Sequence, residues 1–402
     1  MKIQRAKLKT TRCRAVGWIA GVFGVMCCIN GSVLLAGDEA GKAVTAEVDV
    51  SDKAWSYADL WDRTVFYENE ENAFIQKVTF IGRFHGQYHY VDSDRGHDDG
   101  WEERRIRPGF KFNFLNDFMF VMEANIRGAD DIHGEYLKGW DNFYLDWKPT
   151  KDLKFRVGRQ KSNTSRERFT SSRFVIPFNR SRLVLQSTVD KIMGASVFYN
   201  INEKVTVQTG IFSDLLDGKF QEFEGSGSAN ALLKLGYEMN DNTQFYLDYW
   251  WADPKADRGK ETRPYAHVVS LNSLNEWDGY GLQTDLLYTS GAAERDGQST
   301  WGLMFMPWYN ITPKLRGVFR YQLASSNSDT GVALQSRYEA RAVTDGGGKE
   351  GRVYNAFYAG LDYQFLDKDR LKLMIGSEYT NMSGGKDDFS GWTHFAGVRT
   401  WW

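Results

Sequence analysis

The sequence predicts an all-β chain, a sixteen-stranded antiparallel transmembrane β-barrel over residues 75–402. Three observations point there. Apolar side chains recur at every second position rather than in blocks, as in a sheet with one greasy face. Tight polar turns alternate with long polar stretches. Aromatic residues make up 15% of the chain while Pro numbers only 7, a balance suited to strands crossing a bilayer. Mean hydropathy is −0.50, and after residue 36 no apolar run approaches the ~20 residues of a membrane helix. A helical membrane protein is therefore excluded.

The N-terminus reads as a separate, transient element. Residues 1–36 hold six bases (Lys2, Arg5, Lys7, Lys9, Arg12, Arg14), no acid, and an apolar run from Ala15 to Ile29, the pattern of a secretory signal peptide cut near Ala36. Of 50 Lys+Arg and 52 Asp+Glu, 44 and 52 remain beyond it, a formal charge of −8. Cys13, Cys27 and Cys28, the 3 cysteines of the chain, all fall inside it, so no disulfide or cysteine metal site is expected in the exported part. Residues 37–74 break the alternation and are taken as a periplasmic or lead-in segment, without a choice between helix and extended chain.

Alternation then runs along the chain. From residue 77 one parity gives Val78, Phe80, Gly82, Phe84, Gly86, Tyr88 and Tyr90, the other Lys77, Thr79, Ile81, Arg83, His85, Gln87 and His89. It recurs at 118–127, 314–323, 353–365 and 371–375. Fifteen strands are clear, near 77–91, 103–114, 117–128, 139–148, 153–161, 190–200, 203–213, 230–239, 243–252, 277–289, 300–309, 314–324, 352–366, 370–381 and 391–402. A barrel with both ends in the periplasm needs an even number, and the up/down order fails between residues 252 and 277. A further strand through 262–271 repairs both faults. Sixteen strands enclose an aqueous channel.

The connections fit this reading. Short turns at 113–118, 148–152, 200–204, 239–243, 310–314 and 366–369 alternate with long polar stretches, among them "DSDRGHDDG" and "SNSDTGVALQSRYEARAVTDGGGKEG". The chain ends "GWTHFAGVRTWW", an aromatic last strand of the kind read by outer-membrane assembly machinery; pairing it with the first strand removes sheet edges that lipid cannot satisfy.

One stretch stands apart in charge. "RQKSNTSRERFTSSRFVIPFNRSR", residues 159–182, sets seven Lys/Arg against one Glu, and most of it lies in 162–189, the loop after the fifth strand and so the third extracellular loop. Bases lining a constriction select anions, because low-dielectric walls strengthen each charge and the guanidinium fork fits oxyanions. The expected constriction residues are Arg159, Lys161, Arg166, Arg168, Arg173, Arg180 and Arg182, with Glu167 pairing one of them. On the polar strand parity, Arg83, Arg105, Arg107, Lys111, Arg127, Arg156, Arg316 and Arg320 are expected to line the lumen wall. Lys77, Lys148, Lys154, Lys314 and Arg399 join them, against Glu103, Glu123, Asp146, Asp248, Asp362 and Glu378, so that bases exceed acids about two to one.

Val157-Gly158-Arg159-Gln160-Lys161, Thr170-Ser171-Ser172-Arg173 and Arg180-Ser181 together resemble the phosphate-selective porins of the O and P type. Ser162-Asn163 stand where that family has Pro-Phe, and Asn179 where it usually has Glu; both departures bear on selectivity more than on fold. The resemblance implies an inward-folded third loop, an outer-membrane homotrimer set in lipid and lipopolysaccharide, and small anions such as phosphate as solutes.

Blander readings stand beside these. A lumen arginine can simply balance an acid across the pore. His85 and His89 are four residues apart on one strand face, ~13 Å at ~3.3 Å per residue, too far to chelate one metal. The acidic run at 92–99 reads as solvated, and most tryptophans as interfacial girdles, with Trp250 and Trp308 candidates for the lumen. No catalytic motif, metal site, cofactor site or nucleic-acid signature is recognisable. The expectation is a non-enzymatic, anion-preferring diffusion channel. The alternatives are a general or sugar-passing porin, or, with lower weight, a barrel that anchors the envelope or hydrolyses lipid.

Overall fold

The computed structural model describes residues 63–126, 137–213, 229–253, 265–292, 295–365 and 370–402. The signal-peptide reading of 1–36, Trp61 and Arg127 lie outside these residues. A strand that the alternation does not mark, β1 (Val65–Glu68), comes first, and the predicted order then follows: β2 (Ile75–Ser93), β3 (Gly96–Phe114), β4 (Phe118–Ile126), β5 (Leu137–Trp147) and β6 (Leu153–Lys161). Two short helices, α1 (Arg166–Phe169) and α2 (Arg182–Ser187), precede β7 (Lys191–Asn200), β8 (Val205–Phe212), β9 (Asn230–Asn240) and β10 (Thr243–Ala252). Then come β11 (Tyr265–Trp277), β12 (Tyr280–Ala292), β13 (Arg295–Thr312) and β14 (Leu315–Ser326). A miniature sheet of β15 (Val332–Ala333) and β16 (Glu350–Gly351) brackets α3 (Glu339–Ala342), and β17 (Val353–Gln364), β18 (Leu371–Ser383) and β19 (Phe389–Trp401) complete the chain.

β2–β14 and β17–β19 form one closed antiparallel barrel of sixteen strands, with β19 pairing β2 from Gly391↔Ser93 to Trp401↔Arg83. The strand inferred from the parity argument alone is β11. Below the seam, β1 takes over the edge of β2, with Val65 opposite Thr79 and Glu68 opposite Lys77. Gly82 and Trp402 exchange backbone hydrogen bonds at 3.0 and 3.2 Å. A Cβ on Gly82 would sit 2.5 Å from the Trp402 indole, so that position needs glycine. Part of the lead-in segment is thus an extra strand that covers an otherwise open edge.

The predicted parity sets the faces. His85, Gln87 and His89 are buried inside, while Tyr88 and Tyr90 are 41% exposed outside. Exposed aromatics gather at two heights: Trp147, Trp277, Tyr280 and Tyr309 near the short turns, Tyr88, Trp101, Tyr288, Trp301 and Trp392 near the other end. Tyr280 and Tyr288 are eight residues apart, ~26 Å along a strand and ~20 Å along an axis tilted ~40°. That height suits the apolar band of an outer-membrane barrel, about 25 Å. Trp250 and Trp308 face inward and are buried.

Three sequence readings change. The run at 92–100 is no loop: β2 and β3 pair through Ser93↔Gly96, and Asp98, Asp99 and His97 are strand residues at the rim. Trp277 ends β11 rather than starting the next strand, because the turn falls at Asp278-Gly279. A β-bulge in β3 puts Glu103 opposite Gly86, on the outer face beside Trp101, not in the lumen.

The lumen is packed rather than hollow at the long-loop end. Residues 162–190 and 327–352 both enter it. Leu183, Val184, Val332, Leu334 and Val343 from these segments join Phe212, Leu232, Trp250, Tyr265 and Met382 of the wall in one buried apolar cluster. Burying this apolar area helps to hold both segments in place.

Candidate functional site

The segment after β6 crosses the barrel because side chains on opposite walls receive it. It turns inward at Asn163 and Ser165, whose φ values of 58° and 69° are left-handed; strain of that kind costs about 1–3 kcal/mol and persists only where surroundings fix it. Here they do. Asp248 on β10 accepts the Ser165 backbone N–H at 2.8 Å, and Asp285 on β12 accepts its hydroxyl. Further on, Arg83 reaches Ser172 at 3.0 Å, and Arg320 donates to the Asn179 carbonyl at 2.6 Å. Arg399 donates to the carbonyls of Val175, Pro177 and Phe178 at 2.8–3.2 Å.

The predicted constriction bases are placed in and around this segment, and most hold its own backbone. Arg168 donates to Thr188 and Val184, Arg180 to the carbonyls of Glu167 and Thr170 at 2.5 and 2.8 Å, and Lys161 to those of Phe169 and Thr170. Arg182 donates to the Ala333 carbonyl of the second segment, and Arg159 to that of Trp140 at 2.7 Å. Arg173 reaches Glu123 at 3.1 Å. Arg166 has a neutral partner, Gln244, at 3.4 Å, and lies over the rings of Phe169 and Tyr246. Glu167 accepts from Ser181 and lies 3.5 Å from Arg320, so its ion-pair partner belongs to the wall and not to the segment's own bases.

The wall residues fall into two groups. Glu123 and Asp141 sit inside a cage of Arg83, Arg107, Arg173 and Lys191, with closest approaches of 2.5, 2.7, 3.1 and 3.2 Å. Arg156 forms two hydrogen bonds to Asp146, Arg320 pairs with Glu378 at 2.6 Å, and Arg316 donates to Asn310 at 3.0 Å. Lys111 faces the lumen near Lys77, Lys148 and Arg173.

The second group is different in kind. Arg105 lies among Arg104, Arg107, Arg180 and Arg399, and its guanidinium is 3.4 Å from Nδ1 of His85. Among the described residues, the ion pair made by Arg104, Arg105, Arg180 or Arg399 is Arg104 with Glu102, at 3.9 Å. Arg180 and Arg399 donate to backbone carbonyls and make no direct ion pair among the described residues, with Asp190 and Glu167 the acids nearest Arg180 and Asp362 the one nearest Arg399. Nε of Arg104, Nε of Arg105 and Nε2 of His85 are buried without a hydrogen-bond partner. Buried charge without a counter-charge is costly and attracts an anion.

Arg104 was missed by parity reading. The bulge between His85 and Gly86 leaves it without a cross-strand partner, so its side chain turns inward as Arg105's does and reaches Tyr338 at 3.4 Å. Two adjacent arginines on one side of a strand require such an extra residue, and nothing in the alternation marks it.

The second segment closes over this group. Tyr338 packs edge-on against His89 and accepts from Gln87, while buried Glu339 accepts from Tyr354 and Thr380 at 3.0 and 2.8 Å. At the rim, Arg95 donates to both carboxylate oxygens of Asp345 at 2.9 and 2.7 Å and to the Gly348 carbonyl. The hydrogen bonds from Arg95, helped by Gly347 N–H, pull the Asp345 carboxyl down to about 2.

Residues 78–252 match the family described as phosphate-selective porin O and P. The resemblance seen at Val157–Lys161 and Thr170–Ser181 therefore holds from β2 through β10. The fold is that of outer-membrane porins. An anion-selective porin from Comamonas acidovorans superposes with a TM-score of 0.59 at 12% identity, covering 81% of this chain and 99% of that one. OmpT of Vibrio cholerae gives 0.56 at 13% identity over 84% and 100%. The outer-membrane channel DcaP of Acinetobacter baumannii gives 0.51 at 13% over 82% and 99%. No curated protein matches the chain by sequence.

Proposed function

We propose that this outer-membrane porin barrel, exported by its N-terminal signal peptide, passes small hydrophilic solutes by passive diffusion with a preference for anions, phosphate among them. The observation that carries the preference is the buried group of Arg104, Arg105, Arg180 and Arg399, in which Nε of Arg104 and of Arg105 is unpartnered and the one ion pair among the described residues is Arg104 with Glu102. A permeating oxyanion supplies the missing counter-charge. The chain needs no chemical step: the anion enters, replaces part of its hydration shell with guanidinium donors, and leaves down its gradient. Four clustered positive charges favour a doubly charged oxyanion over chloride, with Arg104 and Arg105 supplying the donors that the backbone leaves unused.

The functional unit is a homotrimer in outer-membrane lipid and lipopolysaccharide. The cage of Arg83, Arg107, Arg173 and Lys191 around Glu123 and Asp141 favours the plainer reading for that part of the wall, namely charge balance as in a general porin. Planar-bilayer reversal potentials in a KCl gradient decide between the two. Chloride selectivity with block by inorganic phosphate supports the anion channel; potassium selectivity rejects it.

A further inference from the structure

The underside of the inward segment, facing the short turns, carries chemistry that inorganic phosphate does not need. A cavity of about 270 Å³ lies between that segment and the ends of β11–β14 and β17–β19. Four bases (Arg166, Arg173, Arg316, Lys372), two acids (Glu167, Glu276) and large apolar side chains line it together. Arg166 and Arg316 face it with neutral amide partners, Gln244 at 3.4 Å and Asn310 at 3.0 Å. Phe174, Trp401 and Trp308 line it as well.

Phe174 is the telling residue. It is 56% exposed, yet it points into the barrel and not to lipid, for its ring meets the inward-facing Trp401 edge to face at 5.7 Å. A phenyl ring left this exposed inside the barrel forgoes part of the gain from apolar burial. A small, strongly hydrated oxyanion gains nothing from such a wall, whereas a ring covering it recovers part of that term while its carboxylate meets the guanidinium groups. The volume is near the lower end of small-molecule pockets, about 300 Å³.

We propose that this cavity is a binding site for a small organic anion with an apolar body, an aromatic monocarboxylate in the simplest case, with Arg166 and Arg316 taking the carboxylate and Phe174 and Trp401 the ring. The inference rests on the channel reading above but adds a site on the short-turn side, separate from the Arg104–Arg105 group. It assigns the ring, not the charge, as the feature that discriminates.

The test uses the full-length channel in a planar bilayer, with benzoate, acetate or inorganic phosphate added on the short-turn side and block of chloride current recorded. Benzoate and acetate carry the same charge, so their ratio reports the apolar wall alone. Benzoate is expected to half-block at about tenfold lower concentration than acetate, as partial burial of a ring predicts. Phe174→Ala should bring benzoate to the level of acetate, and Arg166→Gln with Arg316→Gln should weaken both. Equal block by the two in the unmodified channel overturns the proposal, as does an unchanged ratio in Phe174→Ala. Loss of chloride-over-potassium selectivity with the benzoate preference intact would instead strike the anion-channel reading and leave this site standing.

Discussion

Arg104 and Arg105 are consecutive residues of a β-strand, and both turn into the barrel. Strand geometry alone would send them to opposite faces. The bulge across from His85 and Gly86 inserts one residue and lets the second guanidinium join the first, concentrating charge where the lumen is narrowed by the two inner segments.

Removing one of these charges should lower selectivity without emptying the lumen. A unit charge ~7 Å from the path, at an effective dielectric constant of ~20, is worth about 2 kcal/mol before screening. Arg105→Gln is therefore expected to reduce the chloride-over-potassium permeability ratio several-fold, read from reversal potentials at low salt, with a smaller loss at high salt.

Arg320 joins the wall to the inward segment through Asn179, Glu167 and Glu378, and it is 1% exposed. Arg320→Met leaves two buried carboxylates without their cation, a change that costs about 3–5 kcal/mol. Urea unfolding in lipid vesicles should show a lower midpoint, and Arg320→Met with Glu378→Gln should recover part of it. An unshifted midpoint in the single variant would show that the segment is held by its apolar contacts alone.

The rim clamp should respond to acid. The Asp345 carboxyl is depressed from 3.8 to about 2, so its bond to Arg95 stabilises the second segment above the unfolded value and is lost as pH falls from 3.8 towards 2. Pepsin should cut within 327–352 near pH 2 and far less near pH 4. Arg95→Gln should be cut at both; a segment equally resistant at both in the unmodified chain would contradict the clamp.

Gly158 explains why its motif has a glycine. Its φ is +124°, and a Cβ there would lie 2.3 Å from the Phe143 carbonyl oxygen on the neighbouring strand. Gly158→Ala should cost about 1–3 kcal/mol or more through backbone strain and reduce the yield of folded barrel, seen as heat-modifiable mobility on gels.

Much of the barrel was legible because lipid and water impose a strict period on each strand, so strand count, closure and the faces of Arg83, Gln87 and Arg320 followed from alternation. The count fails wherever an extra residue enters, which hid Arg104 and misplaced Glu103. Polarity misled at 92–100, where acidic residues extend a hairpin above the bilayer as readily as they would form a loop. The basic segment could be located but not interpreted in detail, since a backbone carbonyl such as that of Thr170 leaves no mark in sequence as the partner of Arg180. The second inner segment was invisible for a related reason: Val332, Leu334 and Val343 are scattered among polar residues, and only the closed barrel gives them a core to join.

On the proposed function, the arginine group at Arg104 and Arg105 sets the charge preference of the pore. The most direct measurement is the zero-current potential of the purified channel across a KCl gradient. A potential close to the chloride equilibrium value, collapsing towards zero in Arg104→Gln with Arg105→Gln, is the predicted result; a potential on the potassium side in the unmodified channel would contradict it.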